Sequence, residues 1–228
     1  MKNAIVVVPA YNEQKTIKTL VERILQFADV CVIDDGSQDS TGTIVAAIAA
    51  AVCISHRKNT HIPGAILDGM RYAADRQYQY VVTMDAGLSH SPDELPGILN
   101  APRADLVIGT RTKEIGKPLY RKLLSAAGTF LVCLSLRHFH RELPRAHFND
   151  TTSGFRRYSR KAVQLLLSKD FKARSFDFHI EALMFLFRNG MRISEVPISY
   201  NFSNSSLNLK VVVDALRMLF DFLFNFRS

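Results

Sequence analysis

At 228 residues the chain is long enough for one sizeable hydrophobic core and short for two, and its 47% hydrophobic and 22% charged residues exclude a disordered or collagen-like polymer. A formal net charge of +8 favours a polyanionic partner: nucleic acid, an anionic membrane surface or a phosphorylated substrate. The basic residues are spread through 111–121, 137–145 and 156–161 without a lysine-rich tail or a nucleic-acid-binding motif, which sets nucleic acid aside. Cys31, Cys53 and Cys133 are odd in number and lack CxxC spacing, so neither a disulfide framework nor a zinc site is expected, and a reducing, cytoplasmic setting fits. No apolar run reaches the roughly 20 residues that span a bilayer. The opening IVVVPAYNE is interrupted too soon by Pro9 and Glu13 for a secretory signal, so a membrane is expected to be touched rather than crossed.

In chain order, Ala4 to Val8 is a predicted strand, and Glu13 to Phe27 spaces Ile17, Leu20, Val21, Ile24 and Leu25 at helical intervals. Val30 to Ile33 is a second strand, Ser40 to Ala51 an alanine-rich helix, and Val52 to Ser55 a third strand. Pro63 to Arg76 is a helix and Tyr80 to Met84 a fourth strand. Strands that are apolar throughout, without polar alternation, are buried on both faces, the mark of a parallel sheet covered by helices. The predicted class is therefore α/β, one domain over residues 1–204 with helices on both faces of a mostly parallel sheet.

In such sheets ligands bind beyond the carboxyl ends of the strands. Polar punctuation stands at four of these ends: Pro9 to Glu13, Asp34-Asp35-Gly36-Ser37, Arg57-Lys58-Asn59, and Asp85 to His90. Asp-Asp-Gly-Ser alone is also an ordinary turn, with Ser40 or Thr41 available to cap the next helix. Four such ends on one rim are harder to attribute to turns alone.

VVVPAYNE, VIDDGSQDST, the strand ending in Asp85-Ala86, TTSGFRRYSRKAV and SFDFHIEALMFLFRNGMRISEVPISY together resemble the ordered motif set of the family 2 glycosyltransferases. The branch they look most like is the dolichol- or polyprenyl-phosphate sugar synthases. The resemblance spans about residues 4 to 200. It implies a GT-A fold, a nucleotide-sugar donor, and inverting transfer of the sugar, most readily to a polyprenyl phosphate and alternatively to a saccharide or other hydroxyl. A non-catalytic, nucleotide- or partner-binding member of the fold is the remaining alternative.

By that resemblance Pro9, Ala10, Tyr11 and Glu13 would hold the base and ribose, with Asp35 hydrogen-bonding one of them. Asp34, Gly36 and Ser37 belong to the same donor loop, where Asp34 either shares that role or supports the turn. Asp85, followed by Ala86, matches the first carboxylate of the family's Asp-x-Asp motif, whose second carboxylate coordinates Mg²⁺ or Mn²⁺. That second position is Gly87, and the glutamine found two residues further on in the polyprenyl-phosphate branch is Ser89. A hard cation loses its strongest ligand when carboxylate becomes glycine, which puts metal use in doubt. His90 either supplies compensating charge or caps the loop before Ser91-Pro92-Asp93. Two further departures are NTHIPG, which keeps Gly64 without the family's lysine, and NFSNSSLNLK, which lacks the branch's arginine.

On the acceptor side the resemblance assigns Arg111 and Arg121 to the lipid phosphate, a task that suits a planar guanidinium. Ser153 and Arg156 are further candidates for phosphate binding. Asp150 is a general base if the acceptor is a hydroxyl; an ionised phosphate needs none, and Asp150 would then position the acceptor. Asp177 and Glu181 lie on one helix face, Glu181 serving fold or donor-site geometry and Asp177 reaching the sugar or closing a lid. Residues 205–228 form an expected amphipathic helix, with Leu216, Leu219, Phe220, Leu223 and Phe224 as its apolar stripe. Such a helix suits packing, pairing of subunits, or a peripheral contact with the inner face of the membrane.

Overall fold

The computed structural model describes residues 2–115, 129–130, 133 and 148–201. Arg121 and the expected helix at 205–228 lie outside the described residues. β1 (Ala4–Ala10), α1 (Ile17–Ile24), β2 (Asp29–Asp34), α2 (Thr41–Ala46), β3 (Ala51–Ser55), α3 (His61–Asp75) and β4 (Tyr80–Thr83) alternate as the hydrophobic pattern requires. After a 3₁₀ turn at Pro92–Glu94 come α4 (Leu95–Leu99), β5 (Leu106–Ile115), β6 (Arg156–Ser159), α5 (Arg160–Leu167), α6 (Asp177–Arg188) and β7 (Ile193–Asn201).

The seven strands form one sheet in the order β3-β2-β1-β4-β6-β5-β7. β6 runs antiparallel to both neighbours, and every other pairing is parallel. Strand order reverses between β1 and β4, since the chain leaves β1 toward β2 and β3 on one side and returns on the other. That switch opens a crevice at the carboxyl ends. Register brings those ends level: Ala10 is opposite Asp34, Asp34 opposite Ser55, and Val7 opposite Thr83.

Successive residues of a strand point to opposite faces, and here both faces are apolar. Ile5, Val7, Cys31, Ile33 and Val81 pack with Ile66 and Met70 of α3, Val163 and Leu166 of α5, and Phe178 and Leu183 of α6. Val6, Val8, Val30, Val32 and Val82 pack the other way, with Leu20, Val21 and Ile24 of α1, Val45 of α2 and Leu95 of α4. This two-sided burial is why the strand sequences show no alternation.

Two helices are shorter than their patterns suggest. α1 begins at Ile17 because the stretch before it is a loop, in which the Thr16 and Ile17 amides both donate to the Glu13 carbonyl. α2 ends at Ala46: beyond buried Val45 the chain offers exposed alanines with nothing to bury, and it turns at Ile48 into β3. Neither Ser40 nor Thr41 caps α2. Ser40 holds the cap position without a side-chain bond, and the Thr41 hydroxyl accepts from the Glu13 amide at 2.8 Å.

Candidate active site

The first two strand ends are laced together. The Asp35 amide donates to the Ala10 carbonyl at 2.9 Å, the Asn12 amide to Ser37 Oγ at 3.0 Å, and the Gln38 amide to Asn12 Oδ1 at 2.8 Å. This holds Pro9, Ala10, Tyr11 and Glu13 beside Asp34 to Ser37. Tyr11 is 47% exposed, an aromatic face left on the rim. Glu13 accepts from the Thr16 hydroxyl at 2.7 Å. Asp34 is buried, and its Oδ1 accepts from the Ser37 amide at 3.1 Å, so of its two sequence readings the structure shows turn support. Gly36 has φ +76°, and a side chain there would lie 3.0 Å from the Asn59 amide, so a glycine lets the β2 and β3 loops touch.

Beyond β4, Asp85 keeps a side chain 35% exposed, with buried Ala86 beside it. One carboxylate oxygen lies 3.5 Å from Nδ1 of buried His90. On the other side, a Cβ at Gly154 would come within 3.0 Å of Asp85 Oδ1 and 3.1 Å of His179 Nε2. Glycine at 154 therefore lets the β6 loop close on Asp85. Burial pushes the His90 imidazole below its ordinary pKa despite the opposing pull of Asp85. Burial thus disfavours the charged form of His90 in this structure. Its ring packs on Phe155 and Tyr200, while the turn at 92–94 is capped by Ser91, whose hydroxyl accepts from the Asp93 amide. The loop is tied to the end of β7 by the Asn201 amide, which donates to the Ser89 carbonyl at 2.9 Å.

The residues here do not fit a protein-built cage for Mg²⁺ or Mn²⁺. A Cβ at position 87 would meet nothing but Glu13 Oε1, at 3.7 Å, so the place of the missing carboxylate is open space. Among the described residues no group of three or more His, Cys, Asp or Glu side chains converges on a cation-sized site.

Two of the acceptor-side candidates, Arg111 and Asp150, form one ion pair. Arg111 Nε donates to Asp150 Oδ2 at 2.6 Å and Nη2 to Oδ1 at 2.7 Å, a two-point fork, and Nη2 also reaches Thr152 Oγ1 at 2.6 Å. Asp150 Oδ1 accepts from the Thr152 and Ser153 amides, each at 3.1 Å. Glu195 of β7 sets the loop from behind, accepting from the Asn149 and Asp150 amides and the Thr110 hydroxyl. Burial alone would raise the Asp150 pKa, but the hydrogen bonds and charge of Arg111 outweigh it and bring it down to about 2.

A carboxyl depressed in the fold stabilises it above the unfolded pKa, and the contribution disappears as pH falls through the folded value. The stability advantage of the wild-type protein over Asp150→Asn is therefore expected to shrink by about 2 kcal/mol between about pH 5 and pH 2. Urea unfolding of both proteins across that range checks it, and a pH-independent gap would refute it.

Two sequence candidates are corrected. Arg156 was a candidate phosphate ligand, yet it is fully buried, and its guanidinium donates to the carbonyls of Thr151, Ser153 and His179 at 2.6–2.7 Å. Ser153 is likewise fully buried, and its Oγ accepts from the Phe155 amide at 3.4 Å. Both hold the 150–155 loop together rather than face a ligand. Asp177 accepts from the Arg174 and Ser175 amides at the start of α6, and Glu181 from the Lys172 and Ala173 amides and Lys169 Nζ, so both bind their own loop.

Sequence reasoning passed over Glu195, Thr152, His56 and Thr60. Glu195 had a signal, a carboxylate inside the apolar run ISEVPISY. Thr152 had none beyond its place in the motif.

A family model described as glycosyl transferase family 2 matches residues 5–164. The chain is 32% identical over 206 residues to the undecaprenyl-phosphate mannosyltransferase of Micrococcus luteus, covering 85% of this chain and 82% of that protein. It is 30% identical to the polyprenol monophosphomannose synthase of Mycolicibacterium smegmatis, covering 87% of this chain and 77% of that one. Among solved structures, the glucosyl-3-phosphoglycerate synthase of Mycobacterium tuberculosis in complex with Mn²⁺, UDP and glucosyl-3-phosphoglycerate superposes with TM-score 0.68 at 20% identity. The match covers 97% of this chain and 78% of that one. The fold is GT-A, and the chain belongs to glycosyl transferase family 2, the nucleotide-sugar-dependent glycosyltransferases.

Proposed function

We propose that this glycosyltransferase moves a sugar from a nucleotide sugar to a polyprenyl phosphate, with inversion at the anomeric carbon. An acceptor phosphate oxygen attacks that carbon, the new C–O bond forms as the bond to the nucleoside diphosphate breaks, and the diphosphate leaves with the electron pair. Pro9, Ala10, Tyr11, Glu13 and Asp35 hold the nucleoside. Arg111, with Arg121, meets the acceptor phosphate, and Asp85 stands at the strand end between the two substrates.

The observation that carries this reading is the Arg111–Asp150 fork. A hydroxyl acceptor must lose a proton as it attacks, and a base works best with a pKa near the working pH. Asp150, held down to about 2 by its pairing with Arg111, is poorly matched to taking a proton near pH 7. A phosphate monoester is already ionised and needs no base. Asp150 then acts by aiming the guanidinium. The names of the relatives, two of which act on prenyl phosphates, point the same way.

A long prenyl tail keeps its phosphate at a bilayer surface. Among the described residues no helix is long and apolar enough to cross a membrane. The net charge of +8 favours a peripheral approach to anionic lipid.

Incubation with radiolabelled sugar nucleotides tests the reading, using polyprenyl phosphate and free polyprenol as parallel acceptors. Label is expected in the phosphate lipid alone. Transfer to the alcohol at a comparable rate, or to neither, would sink the proposal.

A further inference from the structure

Asp35, at the end of β2, is nearly buried, and three donors meet on one of its oxygens. Oδ1 accepts from His56 Nδ1 at 2.7 Å, the Thr60 amide at 2.7 Å and the Thr60 hydroxyl at 2.8 Å. A carboxylate only accepts, so the proton of this contact sits on His56 Nδ1. The other oxygen, Oδ2, has no hydrogen-bond partner among the described residues.

His56 is fixed in turn. Its Nε2 lies 3.1 Å from Asp68 Oδ2 of α3 without the alignment of a hydrogen bond, and Arg71 pairs with the other oxygen of Asp68. The imidazole is thus held between two carboxylates on separate elements. Thr60 occupies the N-cap position of α3 but makes no side-chain cap bond, because its hydroxyl is turned to Asp35. Gly64 makes room for this arrangement: a Cβ there would come within 2.5 Å of Thr60 Oγ1. The glycine retained in NTHIPG serves the position of Thr60.

We infer that His56 and Thr60 are positioning residues for the nucleoside end of the donor. By saturating Oδ1 they lock Asp35 in one rotamer, leaving Oδ2 as a single acceptor for an N–H or hydroxyl of the nucleoside. The inference rests on the reading of Asp35 as a donor ligand. A carboxylate free to rotate loses entropy on binding, whereas one fixed beforehand does not.

The test is calorimetric titration of the full chain with UDP, GDP, ADP, CDP and dTDP, then with the free nucleoside of the one bound best. His56→Ala is expected to weaken the diphosphate and its free nucleoside by the same factor, about ten-fold, and Thr60→Val by about five-fold. His56→Asn, whose amide NH₂ can replace Nδ1–H, is expected to return affinity to within about three-fold of wild type. The kcat at saturating donor should stay unchanged in all three. Lower melting temperatures with unaltered affinities would reduce His56 and Thr60 to fold-keeping and overturn the inference. So would weak binding by Asp35→Asn alongside normal binding by His56→Ala and Thr60→Val, although the donor-site reading would then stand. Normal nucleoside binding by Asp35→Asn would remove both.

Discussion

Replacing Arg111 with alanine is expected to lower kcat/KM for the acceptor by about a thousand-fold while leaving nucleoside diphosphate affinity within about two-fold, since truncating one partner of a buried, hydrogen-bonded charge pair costs several kcal/mol. The obvious objection is stability. Asp150 is 7% exposed at its side chain, and removing the guanidinium strands a buried carboxylate at a cost of about 3–5 kcal/mol. A double-variant cycle separates the two effects. Arg111→Met with Asp150→Asn removes both charges, keeps an acceptor for the Thr152 and Ser153 amides, and should recover most of the lost stability. If Arg111 merely anchored Asp150, activity would return with stability. If the guanidinium meets the acceptor phosphate, the double variant is stable and still about a thousand-fold impaired. Arg111→Lys keeps the charge but loses the fork, and should fall between. Initial rates at varied acceptor, with melting temperatures of wild type, Arg111→Ala, Arg111→Lys, Arg111→Met, Asp150→Asn and the double variant, check it.

The first half of the fold was legible because each strand is short, apolar on both faces and followed by a helix with its own apolar stripe. The pattern around Val6, Ile33 and Val82 has no other economical solution than a covered parallel sheet. The strand ends followed from the same rule, which placed Tyr11, Asp35 and Asp85 on one rim. What could not be read was the fate of charged residues after β5. Arg156 and Arg157 are adjacent on β6 and look like a basic surface, yet both are buried. They point to opposite faces of the sheet. Arg156 serves carbonyls near His179, and Arg157 donates to those of Ile98, Leu99, Ala101 and Pro102. Carbonyls brought together by tertiary structure leave no trace in local sequence. The same holds for His56, whose partners Asp35 and Asp68 are 21 and 12 positions away and belong to different elements. Burial does not thin the basic surface, because among the described residues four buried carboxylates, Asp34, Asp35, Asp150 and Glu181, outnumber the two buried arginines.

Gly87→Asp should raise the cation affinity of this loop. Position 87 has open space around it, and the backbone there is not in the left-handed region, so a side chain enters without strain. The introduced carboxylate would stand two residues from Asp85 and close to Glu13 Oε1, which lies 3.7 Å from its Cβ. Without a cation these negative charges repel, and a small loss of stability, about 0.5–1 kcal/mol, is expected in chelator. With Mn²⁺ the repulsion becomes attraction, because affinity for hard cations rises with the number of charged oxygen ligands. Mn²⁺ titration followed by electron paramagnetic resonance of the nucleotide-free protein should show the variant binding at least about thirty-fold tighter than wild type. Gly87→Asn, nearly isosteric but neutral, should gain little, which separates charge from shape. Equal Mn²⁺ affinity in all three proteins would mean that the loop, turned through left-handed Leu88 at φ 57°, aims residue 87 away from Asp85. The glycine would then reflect a different loop path and not simply a deleted ligand.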